Sequence, residues 1–232
     1  MKSLFAALCA MCLIVEFVSS VHAQQTDADQ KYLEAKTKQA QQGDAQAQCE
    51  LGLIHELGLR GISTNLEEAV KWYRKAADQN LADAQFHLGM CYSQGHGVAR
   101  DGKSGMNLIR KAAEQGQAEA QFMVGKQYCF SNDYAEGVKW LRKAAEQNFA
   151  KAQYKLGDCY WLGSGVPKDK VEAYKWCYLA AKQGDEDAKR ILPLVIAAPR
   201  ITLEQMDEAN RQIDEFQKQQ EAKARTTKTT GK

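Results

Sequence analysis

Proline is nearly absent from this chain, with 3 among 232 residues. A sequence so poor in helix breakers and rich in Ala, Gln, Lys and Glu favours helices. An excess of charge of one sign is missing too. The 31 Lys and Arg against 29 Asp and Glu leave a formal net charge of +2, which gives no reason to expect nucleic acid or a strongly anionic partner. Beyond the N-terminus no apolar run is long enough to cross a bilayer. Hydrolase signatures are lacking: there is no H-E-x-x-H, G-x-S-x-G or S-x-x-K. Of the four histidines, His55 falls at a core position of a helix, and His87 and His96 lie without clear carboxylate or Cys partners. The expectation is a non-enzymatic chain with no cofactor and no metal.

The N-terminus has the three parts of a secretory signal over residues 1–23. Lys2 supplies the positive region, Leu4 to Val15 the apolar core, and Val21-His22-Ala23 an approximate cleavage site. Cleavage after about Ala23 would place the mature protein in a periplasm or outside the cell. Cys9 and Cys12 fall inside the signal, which leaves Cys49, Cys91, Cys129, Cys159 and Cys177. An exported chain is permitted disulfides, and an odd count leaves at least one thiol over.

One unit then recurs four times. It begins AQCELG at 47, AQFHLG at 84, AQFMVG at 120 and AQYKLG at 152, so successive starts lie 37, 36 and 32 residues apart. Position eight of each first helix is His55, Tyr92, Tyr128 or Tyr160. A second helix follows as AVKWYRKAA, GMNLIRKAA, GVKWLRKAA and AYKWCYLAA. Glycine costs about 1 kcal/mol in a helix, so Gly52, Gly89, Gly125 and Gly157 need a packing reason, and close approach of the paired helix supplies one. Gly95-His96-Gly97 and Gly163-Ser164-Gly165 suit a left-handed turn. Asn65, Asp101, Asp133 and Asp169 stand where the second helix needs its N-cap. The third unit lacks the Gly turn, which explains the shorter spacing. A helix pair cannot bury its apolar face alone, so the units must stack.

These letters resemble the Sel-one-like repeats, a subclass of the tetratricopeptide-like α-solenoids. The family pattern AQxxLGxxY…GxGVxxDxxxAxxWYxKAAEQG is matched in units one, two and four, and partly in three, over about residues 44–184. The resemblance implies an all-α solenoid of stacked antiparallel helix pairs. The layout is then a signal peptide (1–23), an N-terminal capping helix (24–43), repeats at 44–80, 81–116, 117–148 and 149–184, capping helices to 220 and a disordered basic tail at 221–232. Pro193 is expected to disrupt the helix that starts at DEDAKRILPLVI, and Thr202 to cap a last amphipathic helix with Leu203, Met206, Ala209, Ile213 and Phe216 on one stripe.

In such solenoids the first helices line the concave face. Positions two, six and nine lie opposite positions zero, four and eight at about 100° per residue. The candidate partner-binding residues are therefore Leu53, Phe86, Met90, Phe122, Lys126, Tyr154, Asp158 and Trp161. The alternative for the position-two aromatics is packing between repeats. Among the cysteines, Cys159 takes position seven of its first helix and Cys177 the core position of its second, so a Cys159–Cys177 staple is one reading. Five small buried hydrophobes is the other. Some relatives carry a disulfide in every repeat, a regularity this sequence departs from.

The resemblance implies a scaffold of the bacterial cell envelope that binds a peptide or helix of another protein. It also allows an immunity or regulatory protein that neutralises a toxin or a sensor and, less favoured by the missing motifs, a cell-wall or β-lactam hydrolase. Self-association through Leu203, Met206 and Ile213 is a further expectation.

Overall fold

A computed structural model describes residues 27–197 and 201–230, and the side chains of 227–230 are left aside. The signal-like segment lies outside the described residues. Eleven helices are present among them: α1 (residues 27–41), α2 (Ala45–Leu57), α3 (Leu66–Asp78), α4 (Ala82–Gln94), α5 (Gly102–Glu114), α6 (Ala118–Phe130), α7 (Tyr134–Glu146), α8 (Ala150–Leu162), α9 (Lys170–Lys182), α10 (Glu186–Ala197) and α11 (Leu203–Thr230). No strand occurs among the described residues. Helices pack in consecutive pairs, as an all-α solenoid requires.

Helix starts follow the caps. The side chains of Asn65, Asp133 and Asp169 accept from Glu68, Glu136 and Glu172 N–H, and Asp101 accepts from Lys103 and Ser104. The turns before them use left-handed backbone. Gly97 (φ 67°) lies so near the start of α3 that an added Cβ would meet Leu66 O at 2.2 Å. At Gly165 (φ 75°) an added Cβ would likewise meet Tyr134 O, at the start of α7, at 2.3 Å. The short third turn uses Asn132 (φ 63°) instead.

The chain divides into two compact units at Leu108 and Ile109, within α5. In the first, Tyr73 fills a core with Val70, Leu88, Cys49 and Cys91. Helix α1 packs through Tyr32 and Leu33 onto Leu51 and Ile54 of α2. In the second, Leu141, Leu156, Trp176, Cys177, Val195 and Ile213 share one core.

The termini of the second unit differ from expectation at two places. Helix α10 runs through Pro193 to Ala197; burial of Ala188 and Val195 on either side holds it together despite the missing N–H. Helix α11 continues to Thr230 rather than ending near 220. Ala222, Lys223 and Ala224 are good helix formers, and the Thr226 hydroxyl donates back to Ala222 O at 3.2 Å. The cap at Thr202 holds: Thr202 Oγ1 accepts from Gln205 N–H at 3.2 Å, while Gln205 Oε1 accepts from Thr202 N–H at 3.1 Å.

Candidate partner-binding faces

The eight candidate residues fall in both units. In the first, Leu53, Phe86 and Met90 are half-buried. Next to Phe86, whose ring meets His87 edge-on at 5.6 Å, lies a polar group that no single stretch of sequence displays. Tyr73 OH donates to Glu56 Oε2 at 2.5 Å, and the His87 ring stacks on Tyr73 with centroids 5.0 Å apart at 8°. His87 Nδ1 lies 3.8 Å from the same Glu56 oxygen, so this histidine does have a carboxylate partner. Burial, then the Glu56 hydrogen bond, pushes the Tyr73 phenol far above its usual range. The i+3 and i+4 spacings that sequence periodicity exposes lie along one helix, whereas Glu56, Tyr73 and His87 come from three.

In the second unit, α6 presents Phe122 and Lys126 while α8 presents Tyr154, Asp158 and Trp161. Phe122 is half-buried and meets Phe149, centroids 5.4 Å apart, at the join between repeats. Packing between repeats is thus part of what this aromatic does. Lys126 is exposed and its ammonium lies 5.4 Å from the Phe122 ring centroid. Asp158 is held by Lys155 Nζ at 2.8 Å. Trp161 is half-buried against the core and lines a shallow pocket with Tyr160, Leu162, Lys168, Asp169 and Lys170 at the turn end of α8. It is therefore not the freely exposed anchor its position suggests.

The more regular polar feature is a ladder of buried glutamines at position one. Gln121 and Gln153 Nε2 donate to Ala113 O and Ala145 O, each at 3.2 Å, and Gln48 to Ala40 O at 2.9 Å. The Gln that ends the second helix closes each rung: Gln79 donates to Gln48, Gln147 to Gln121 and Gln183 to Gln153. A second rung joins successive repeats, with Arg74, Arg110 and Arg142 donating to Tyr92, Tyr128 and Tyr160 OH. His55 occupies the Tyr slot of the first repeat, and its buried Nδ1 has no hydrogen-bond partner among the described residues. The A-Q and Y…R letters of the repeat carried this signal.

All five cysteines of the described residues are free thiols, and the proposed Cys159–Cys177 staple is not formed. Cys177 Sγ sits over Gly157, where an added Cβ would meet it at 2.6 Å. The thiol that Cys159 meets belongs to Cys129. Burial pushes the Cys49, Cys159 and Cys177 thiols up to about 12, which suits packing in the core. No group of three or more His, Cys, Asp or Glu among the described residues could hold a metal ion. The stripe of α11 is spent inside the chain: Ala209 and Ile213 are buried, Met206 and Phe216 pack on the same core, and only Leu203 stays out, 81% exposed. Ile213 is therefore not available for self-association.

The Sel1 repeat family model matches residues 45–81, 82–117, 118–149 and 150–185. The chain belongs to the Sel1 repeat family. A protective antigen of uropathogenic Escherichia coli with an SLR fold is 31% identical, with a TM-score of 0.71 over 84% of this chain and 43% of its own. A Sel1 repeat protein of Oxalobacter formigenes is 32% identical, with a TM-score of 0.66 over 80% of this chain and 81% of its own. The ERAD-associated E3 ubiquitin-protein ligase component HRD3A of Arabidopsis thaliana is 37% identical over 59 residues, 25% of this chain and 9% of that protein. This chain thus spans less than half the length of the Escherichia antigen and a small fraction of HRD3A. Sel1 repeat proteins are generally non-catalytic scaffolds for protein interaction. No described helix is long and apolar enough to cross a membrane.

Proposed function

We propose that this chain is an exported scaffold of the bacterial cell envelope, and that the α6 and α8 face of its second unit holds a segment of a partner protein. The signal-like N-terminus supports the compartment. The observation that carries the site is the line of half-buried aromatics, Phe122, Tyr154 and Trp161, interleaved with Lys126 and Asp158. Such a surface offers apolar area together with charge of both signs, which suits an amphipathic peptide or helix. Catalysis has no part in this reading.

The test is a photo-crosslinking residue at position 126, compared with the same residue at position 143 on the exposed side of α7, in cells that express the full chain. A discrete envelope protein captured from 126 and not from 143 supports the reading. Equal capture from both positions, or none from 126, overturns it. Comparing the processed mass with the full chain tests export separately, since loss of about residues 1–23 is expected.

A further inference from the structure

We infer that Cys129 and Cys159 form an oxidisable pair, and that a disulfide between them ties the third repeat to the fourth. Cys129 lies in the last turn of α6, and Cys159 lies on α8 in the next repeat. The Sγ of Cys129 occupies space that Gly137 leaves free, where an added Cβ would meet it at 2.6 Å. On its other side it interacts directly with the Cys159 side chain, and it packs on the core that contains Cys159. The remaining thiols are placed elsewhere. Cys49 and Cys91 belong to the core of the first unit, and Cys177 is behind Gly157.

Access differs between the two sulfurs. Of the five thiols, Cys129 alone is not fully buried. Burial raises its pKa, and the Lys155 ammonium offsets part of that rise. Cys129 is therefore the sulfur that an incoming disulfide meets first. Its thiolate attacks one sulfur of a small disulfide such as oxidised glutathione, forming a mixed disulfide and expelling one glutathione thiolate, which takes a proton from water. Cys159 then gives up its proton to solvent and attacks Cys129 Sγ, expelling the second glutathione. The two protein thiols lose two electrons and two protons, and glutathione disulfide gains them. The new bond locks α6 to α8, the two helices that carry Phe122, Lys126, Tyr154, Asp158 and Trp161. It joins neighbouring repeats, unlike a staple within one helix pair.

The full chain is incubated with oxidised glutathione, quenched by alkylation, digested without reduction and mapped by mass spectrometry. The expected result is one linked peptide pair holding Cys129 and Cys159, with loss of both as alkylated peptides. Cys177→Ala keeps this link, and Cys129→Ser abolishes it with the helical circular dichroism unchanged. Recovery of Cys129 as alkylated or stably glutathionylated, with Cys159 free, overturns the proposal. So does a link that uses Cys177 in place of either sulfur.

Discussion

Helices α7 and α9 are the same element built twice, GVKWLRKAA and AYKWCYLAA, yet their tryptophans end in different places. Trp140 is half-buried, and the Lys143 ammonium lies 4.3 Å from its ring centroid. Trp72 in the first unit has the same arrangement with Lys75 at 4.1 Å. Trp176 is only 3% exposed. Leu179 replaces the lysine there, and α11 covers the face, with Phe216 meeting the indole edge-on at 5.5 Å. Lys175, Lys182 and the Glu146 carbonyl bind Gln212, Gln217 and Gln220 along the covering helix. The difference teaches that the repeat letters specify stacking, while the neighbour beyond the repeats decides which surface remains.

The comparison breaks most clearly by truncation. Trp176→Ala is expected to lose about 3–5 kcal/mol of stability, because it empties a covered site and frees α11. Trp140→Ala should lose about 1 kcal/mol, since its ring is part-solvated and its lysine contact is weak. Urea unfolding followed by circular dichroism measures both. Equal losses would mean that α11 adds nothing to the packing of the fourth repeat.

Beneath those surfaces the repeats should behave alike. Gln153 is fully buried and bonds Ala145 O, Asn148 and Gln183. Gln153→Leu takes a donor from Ala145 O and Asn148 Oδ1 and an acceptor from Gln183 Nε2, at an expected cost of about 2 kcal/mol. Gln121→Leu, which removes the bonds to Ala113 O and Gln147, should cost about as much. A large loss at one rung and none at the other would show that the ladder is not a shared device.

The sequence made the repeat frame legible because its signals are local. The N-caps, the left-handed Gly turns and the small residues at positions zero and five each act within a few residues or across one helix pair. Candidate sites were harder, because their fate depends on which element covers them. Periodicity put Phe122 and Trp161 on the inner side, but Phe149 from the next helix start and the core around α8 take up part of each ring. The Glu56–Tyr73–His87 group joins three helices, so no single stretch displayed it. Cysteine positions placed Cys159 near the helix-pair core. They did not show that Gly157 lets Cys177 sit against the α8 backbone, away from Cys159.

Alkaline pH tests whether the two units share a weakness that the cap does not touch. Cys49 and Cys91 in the first unit have thiols pushed up to about 12 and about 11 by burial, and Cys159 and Cys177 in the second are both pushed up to about 12. An unfolded thiol loses its proton near pH 8.5, so above that pH the unfolded state binds fewer protons than the folded one. Stability is therefore fully present below about pH 8.5 and is withdrawn as pH rises through the folded values. At pH 10 each buried thiol is expected to withdraw about 1–2 kcal/mol. Denaturant midpoints from pH 7 to pH 10.5 measure this. Cys177→Ala should flatten the slope even though it lowers stability at pH 7, and an unchanged slope would sink the assignment.

The smallest expected effect concerns the rung between repeats. Arg142 donates to Tyr160 OH from a part-buried position, whereas Arg74 reaches Tyr92 OH, at 3.0 Å, at an exposed one. A hydrogen bond to a charged group gains strength as water is excluded from it. Arg142→Ala should therefore cost about 1 kcal/mol, and Arg74→Ala a few tenths of that. The fourth repeat carries Tyr178 in place of this arginine, so the rung ends where α10 and α11 take over the packing on α9. If Arg74→Ala proves the costlier change, solvent exclusion does not rank these contacts. Packing of the arginine stem along α3 would then have to carry the difference.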